Sequence, residues 1–314
     1  MSKFRRIVED VLQKHKKANI RKWLEETTTL EHVYHIFHLN KILVEDKDET
    51  KNSLWLAQQV YNQILDKIDS KDYQKTQFGG IIHLDIPELD IEFSLTGREG
   101  DGFFSKQNNE IVVYAEDLNS FKDNETLETA LIHEIAHSMS YDDMNNFSNY
   151  IKPEENREKY LTQPLEFEAN KVALCNYIVK KTLKELKNKL SKEELYNRDL
   201  LRKHIDEILY DISQNQQSFY YEFLNAVHKD KKVFKELYFE IMETCIEYIQ
   251  EHLSESYMQA ASNDRIKENI YDLPNITPEE SIKRICENLD KNTKTDYIKE
   301  FRENCQKLEE TAKD

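Results

Sequence analysis

The chain reads as an α+β protein, predominantly helical, with a small sheet of three or four strands set into an otherwise helical sequence. Three observations predict this. All five glycines (Gly79, Gly80, Gly97, Gly100 and Gly102) fall within 24 residues, so tight turns concentrate there. Over the same stretch, apolar and polar residues alternate at period two, the mark of half-buried strands. The remainder is glycine-free, rich in Leu, Lys, Glu and Gln, and repeats its apolar residues at helical spacing.

Taken in order, residues 4–45 suggest two or three short helices around Trp23 and the group His32, His35 and His38. Adjacent pairs of these histidines can share a helix face, which leaves a second metal site open beside the plainer reading of aromatic helix packing. Residues 53–69 carry a helical stripe of Leu54, Ala57, Tyr61, Ile64, Leu65 and Ile68. Then the period changes. Ile82, Leu84 and Ile86 alternate with polar neighbours, as do Ile91, Phe93 and Leu95, and residues 103–104 and 111–115 complete the strands. The strand at 110–115 is a candidate open edge on which an extended peptide could add a strand, with an ordinary interior strand as the alternative.

Residues 124–139 contain no Gly or Pro and place Leu127, Ala130, Leu131, Ile135 and Met139 on one helical stripe, with Asp123 or Asn124 as N-cap. Pro164 suits the first turn of a further helix, where its missing N–H would be unpaired anyway. From 181 onward the pattern is all helical. Ser191 with Glu194 and Thr277 with Glu280 are capping-box starts, and Pro274 and Pro278 mark a break near 272–277. Between them a stripe from Phe219 through Phe223, Leu224, Val227, Phe234, Tyr238 and Ile241 to Tyr248 reads as the core of a helical bundle.

Composition narrows the function classes. A net charge of −16 argues against non-specific nucleic-acid binding, which depends on basic patches. The basic cluster within residues 3–22 is mixed with Glu9 and Asp10 and reads as a helix face. No apolar run reaches the length of a membrane span, and the opening residues lack a signal-peptide core. The four cysteines (Cys175, Cys245, Cys286 and Cys305) are dispersed without a Cys-x-x-Cys pair, so reduced core thiols and a cytoplasmic location are the expectation, with no membrane and no nucleic-acid partner.

The chemistry is concentrated at 133–137, His-Glu-Ile-Ala-His. On a helix, positions i and i+4 share a face, so His133 and His137 can aim ring nitrogens at one cation. Glu134, one step around, can reach a water on that cation as general base, which is the zincin pattern. A catalytic zinc needs a third protein ligand with one position left for water. Glu166 and Asn170 stand i and i+4 on the helix opened by Pro164. Glu166 can complete the site while Asn170 steadies a ligating histidine. Glu168 is the rival ligand, pointing to the other side of the same helix.

These two helices resemble the gluzincins, and among them the small bacterial and phage metallopeptidases of the ImmA/IrrE type, whose Glu-x-x-Ala-Asn helix matches 166–170. The likeness covers about residues 53–180. It implies a compact zincin core there, zinc held by His133, His137 and Glu166, Glu134 as base and Asn170 as supporting residue. The chain departs from that subfamily after the glutamate helix, where Cys175-Asn-Tyr-Ile-Val-Lys-Lys replaces the usual Leu-Met-Pro ending. The expected organisation is a helical region at 1–52, the core at 53–180 and a helical region at 181–314 packed on it.

The reading is therefore a zinc metallopeptidase acting on a protein or peptide substrate, narrow in choice. The oxyanion donor is left among Tyr141, Tyr150 and Tyr160, with Tyr160 favoured because it leads directly into the ligand helix. His204 and His228 are weaker candidates for that role. The alternatives are a weakly catalytic zincin-fold regulator or sensor, and a helical interaction protein.

Overall fold

The computed structural model describes residues 49–96, 102–105, 107–118, 120–139, 150–186, 197–252 and 276–293. It is mostly helical, as the sequence predicts, with one small sheet of five strands where three or four were expected. The expected N-terminal helices with His32, His35 and His38, and the capping box at Ser191 and Glu194, lie outside the described residues. Two compact units are present. The first holds the described residues up to Tyr150 together with Gln163–Val179, and the second holds Ile151–Thr162 and the described residues from Lys180 onward.

The first unit opens with helix α1 (Glu49–Ser70), which begins a turn earlier than its apolar period suggests. Leu54, Ala57, Val60, Tyr61, Ile64 and Ile68 are its buried stripe. Strands β1 (Gln74–Lys75), β2 (Gly79–Asp85), β3 (Glu88–Ser94), β4 (Gly102–Ser105) and β5 (Glu110–Tyr114) follow, in sheet order β1-β2-β3-β5-β4. Alternation puts Ile82, Leu84, Leu89, Ile91, Phe93, Ile111 and Val113 on the buried face. A Cβ at Gly79 would run into the carbonyl oxygen of Phe93, so glycine there lets β2 and β3 close against each other.

The strand read as a candidate open edge, 110–115, is interior: β5 runs parallel to β3 and antiparallel to β4. The tight turn at 107–109, with Asn109 at φ 51°, folds β4 back along the outer side of β5. Alternation identifies a strand and its faces, but pairing order depends on which side the chain returns, so among the described strands β4 and β1 take the two ends of the sheet.

Short helix α2 (Ser120–Asp123) leads into α3 (Glu125–Met139). Of the two candidate caps, Asn124 is seen to act: its Oδ1 accepts from the backbone N–H groups of Thr126 at 2.9 Å and Leu127 at 3.1 Å. Leu127, Leu131, Ile135 and Met139 are buried, and α3 packs on α1, β4 and β5. After α4 (Arg157–Thr162), which belongs to the second unit, α5 (Pro164–Leu186) begins at the expected proline. A polar chain ties the three long helices of the first unit. Gln58 donates to Asn176 Oδ1 at 2.8 Å, and Asn176 donates to Glu128 Oε1 at 2.9 Å.

The second unit is helical: α4, the last turns of α5, α6 (Arg198–Gln214), α7 (Phe219–Val227), α8 (Lys231–His252) and α9 (Pro278–Thr293). Helix α6 packs on α7, α8 and α9, and the predicted stripe is buried from Phe223 to Tyr248, whereas Phe219 at its start is exposed. Asn197 caps α6, and Thr277 and Glu280 form the reciprocal box expected at the start of α9. Cys175, Cys245 and Cys286 are buried and form no disulfide, and Cys305 lies outside the described residues. No described helix is long and apolar enough to cross a membrane.

Candidate metal centre

The site is built from α3 and the first turns of α5. Helical phase alone puts His133 and His137 one above the other. Their Nε2 atoms are 2.9 Å apart, with ring planes at 86°. Glu166 comes from the other helix: Oε2 lies 3.2 Å from His133 Nε2 and Oε1 3.4 Å from His137 Nε2. All three side chains are buried, Glu166 to 2% exposure.

Among the described residues these three are the group of ligand-type side chains able to share a metal ion. The spacing fits one. Ligand atoms about 2.0–2.1 Å from a tetrahedral zinc sit roughly 3.3 Å from each other, and the three observed separations bracket that value. Two further features mark this cluster. Glu166 Oε2 has no hydrogen-bond partner despite its closeness to an imidazole nitrogen, and His137 Nδ1 is buried without one. A buried carboxylate oxygen left in that condition is costly unless a cation satisfies it.

Burial by itself would raise the Glu166 carboxyl. The two histidines outweigh it and hold Glu166 well below the usual carboxylate range. Glu134 behaves oppositely. Burial pushes its carboxyl up to about 7; the charge of Glu166 adds to the rise, while His133 and a backbone hydrogen bond from Phe104 of β4 oppose it. Near pH 7 such a group can both take and release a proton. Gly102 is also close, since a Cβ there would lie 3.7 Å from Glu134 Cγ.

Glu166, not Glu168, faces the histidines. The Glu168 carboxylate is 45% exposed and pairs with Lys171 at 2.7 Å. Asn170 is fully buried one turn beyond Glu166, but neither amide atom makes a hydrogen bond, so the expected bond to a ligating histidine is not formed. Tyr160 lies in α4 with its ring beside Arg157 at 5.5 Å. Tyr150 instead donates its hydroxyl to Glu166 Oε1 at 2.8 Å. Tyr141 lies outside the described residues. His204 and His228 sit in the second unit, paired with Glu185 and Asp290, each at 3.0 Å.

Reading the sequence missed the Phe104 backbone contact and the Asn176 bridge to Glu128. Neither has a local signal, because the strand-to-helix contact and the 48-residue separation exist only after folding. Scans against family models, curated proteins and solved structures each returned no match, so any assignment of function to this chain rests on the geometry of the His133, His137 and Glu166 cluster.

Proposed function

We propose that the protein is a zinc-dependent metallopeptidase of gluzincin type. The observation that carries this is the convergence of His133, His137 and Glu166 on one point, with a buried Glu134 next to the first histidine. Two imidazoles and one carboxylate suit zinc, and three protein ligands leave a position for substrate or water. When bound, zinc supplies a Lewis acid for a peptide carbonyl and lowers the pKa of water to about 7.

The protein's own groups do the rest. Glu134, buried beside the first histidine, would accept the proton of the attacking water and deliver it to the departing amine. Among the described strands β4 stands at one end of the sheet, where its backbone groups would pair with an extended peptide beside the segment that touches Glu134. Recognition through main-chain bonds would suit a protein or peptide substrate whose specificity is set elsewhere on the surface.

The test is metal content after exhaustive dialysis, followed by proteolysis. Near-stoichiometric zinc in the wild type, its loss in Glu166→Ala, and cleavage of a peptide library that disappears in Glu134→Gln are the expected results. A wild type that recovers no zinc on adding the metal would overturn the reading, and turnover retained by Glu134→Gln would overturn the mechanism.

A further inference from the structure

We propose that Tyr150 is a positioning residue for the metal centre, holding one oxygen of Glu166 so that the carboxylate presents the other to the cation. This rests on the metal reading above. The Tyr150 hydroxyl donates to Oε1 at 2.8 Å, while Oε2, 3.2 Å from His133 Nε2, makes no hydrogen bond. Glu166 is 2% exposed, so water does not compete freely for either oxygen.

The two oxygens are thereby made unequal. A carboxylate with both oxygens free can turn about its terminal bond and close on a cation with both, filling a position that a catalytic site keeps open. A phenol on Oε1 withdraws electron density from that oxygen and fixes the carboxylate plane, leaving Oε2 as the stronger donor. Partners of this kind, one step behind the ligand, set both metal affinity and ligand orientation. Tyr150 precedes Glu166 by 16 residues and reaches it from outside the ligand helix, so its orientation is independent of helical phase.

The experiment compares full-length wild type, Tyr150→Phe and Tyr150→Gln. Zinc affinity is read by chelator competition, and coordination number by the visible absorption of the cobalt(II)-substituted protein. Tyr150→Phe keeps the ring and loses the donor. Its zinc affinity should fall about 10- to 100-fold, and its cobalt absorption should weaken as coordination rises above four. Tyr150→Gln, which keeps a donor without the ring, should recover part of the affinity.

Wild-type affinity and spectrum in Tyr150→Phe would overturn the role of Tyr150 while leaving the metal site standing. Tyr150→Gln no tighter than Tyr150→Phe would likewise overturn it, assigning the effect to ring packing. A wild type that takes up neither zinc nor cobalt would overturn the metal reading itself, and this role with it.

Discussion

Each unit of the molecule contains a buried carboxylate that accepts a tyrosine hydroxyl, and the two differ in their surroundings. In the first unit Tyr150 donates to Glu166, and in the second Tyr238 donates to Asp206. The remaining oxygen makes the difference. Glu166 Oε2 faces the Nε2 atom of His133, with His137 alongside, whereas Asp206 Oδ2 lies 3.9 Å from the Arg202 guanidinium. Imidazole nitrogens are metal ligands; a guanidinium is a permanent cation that already occupies the place of one. Their acidities diverge accordingly. Burial raises Asp206, with Tyr238 and Arg202 only partly offsetting it, while the histidines overcome burial at Glu166 and lower it. Burial of a carboxylate thus identifies no function until the partner of its second oxygen is known.

The largest expected effect tests that contrast directly. Glu166→Ala should abolish zinc retention in dialysed protein, whereas Asp206→Asn should leave zinc content at the wild-type level. Equal loss in both would erase the distinction between the two clusters. Next in size, Glu134→Gln should lower peptide hydrolysis by about 10²- to 10⁴-fold while keeping the metal, the range a positioned general base contributes. Peptide turnover and metal analysis on one preparation would check it.

Smaller effects fall on stability. Leu131→Ala, which opens a cavity beneath the histidine helix, should cost about 2–5 kcal/mol in denaturant unfolding. Tyr238→Phe should cost about 1–3 kcal/mol by stranding the buried Asp206 oxygen, with no change in zinc affinity.

The last effect is a pH dependence of the metal-free protein. The Glu134 carboxyl is raised from 4.5 to about 7 on folding, so the folded state holds its proton more tightly than the unfolded state. The stability associated with that proton is present in full below about pH 4.5 and is lost as pH rises through about 7. Metal-free Glu134→Gln should therefore gain stability relative to wild type between pH 5 and 8. Parallel pH profiles of the two proteins would contradict the assignment.

Much of this was legible in the sequence because it is local. The 3.6-residue period determines that His133 and His137 share a face, that Pro164 opens the helix carrying Glu166, and that the apolar stripes of 53–69 and 219–248 are buried apart from half-buried Leu65 and exposed Phe219. Period two likewise located the strands. Their order was not local: β5 is interior and β4 the edge because of a turn near Asn109, which alternation does not encode. The choice between Glu166 and Glu168 was open for a related reason. Helical phase separates the two faces of α5 but does not say which one meets α3.

The sequence by itself determined a predominantly helical α+β chain, a two-histidine face with an adjacent glutamate, and a second helix carrying a carboxylate. That Glu166 completes the cluster, that Glu168 turns away to Lys171, and that Tyr150 donates its hydroxyl to Glu166 came only with the packing of the chain. The physical reason is range. Backbone hydrogen bonding sets directions within one helix, but a three-ligand centre needs atoms from two helices within 4.8 Å of one another, and that distance is set by the packing of side chains far apart in the chain.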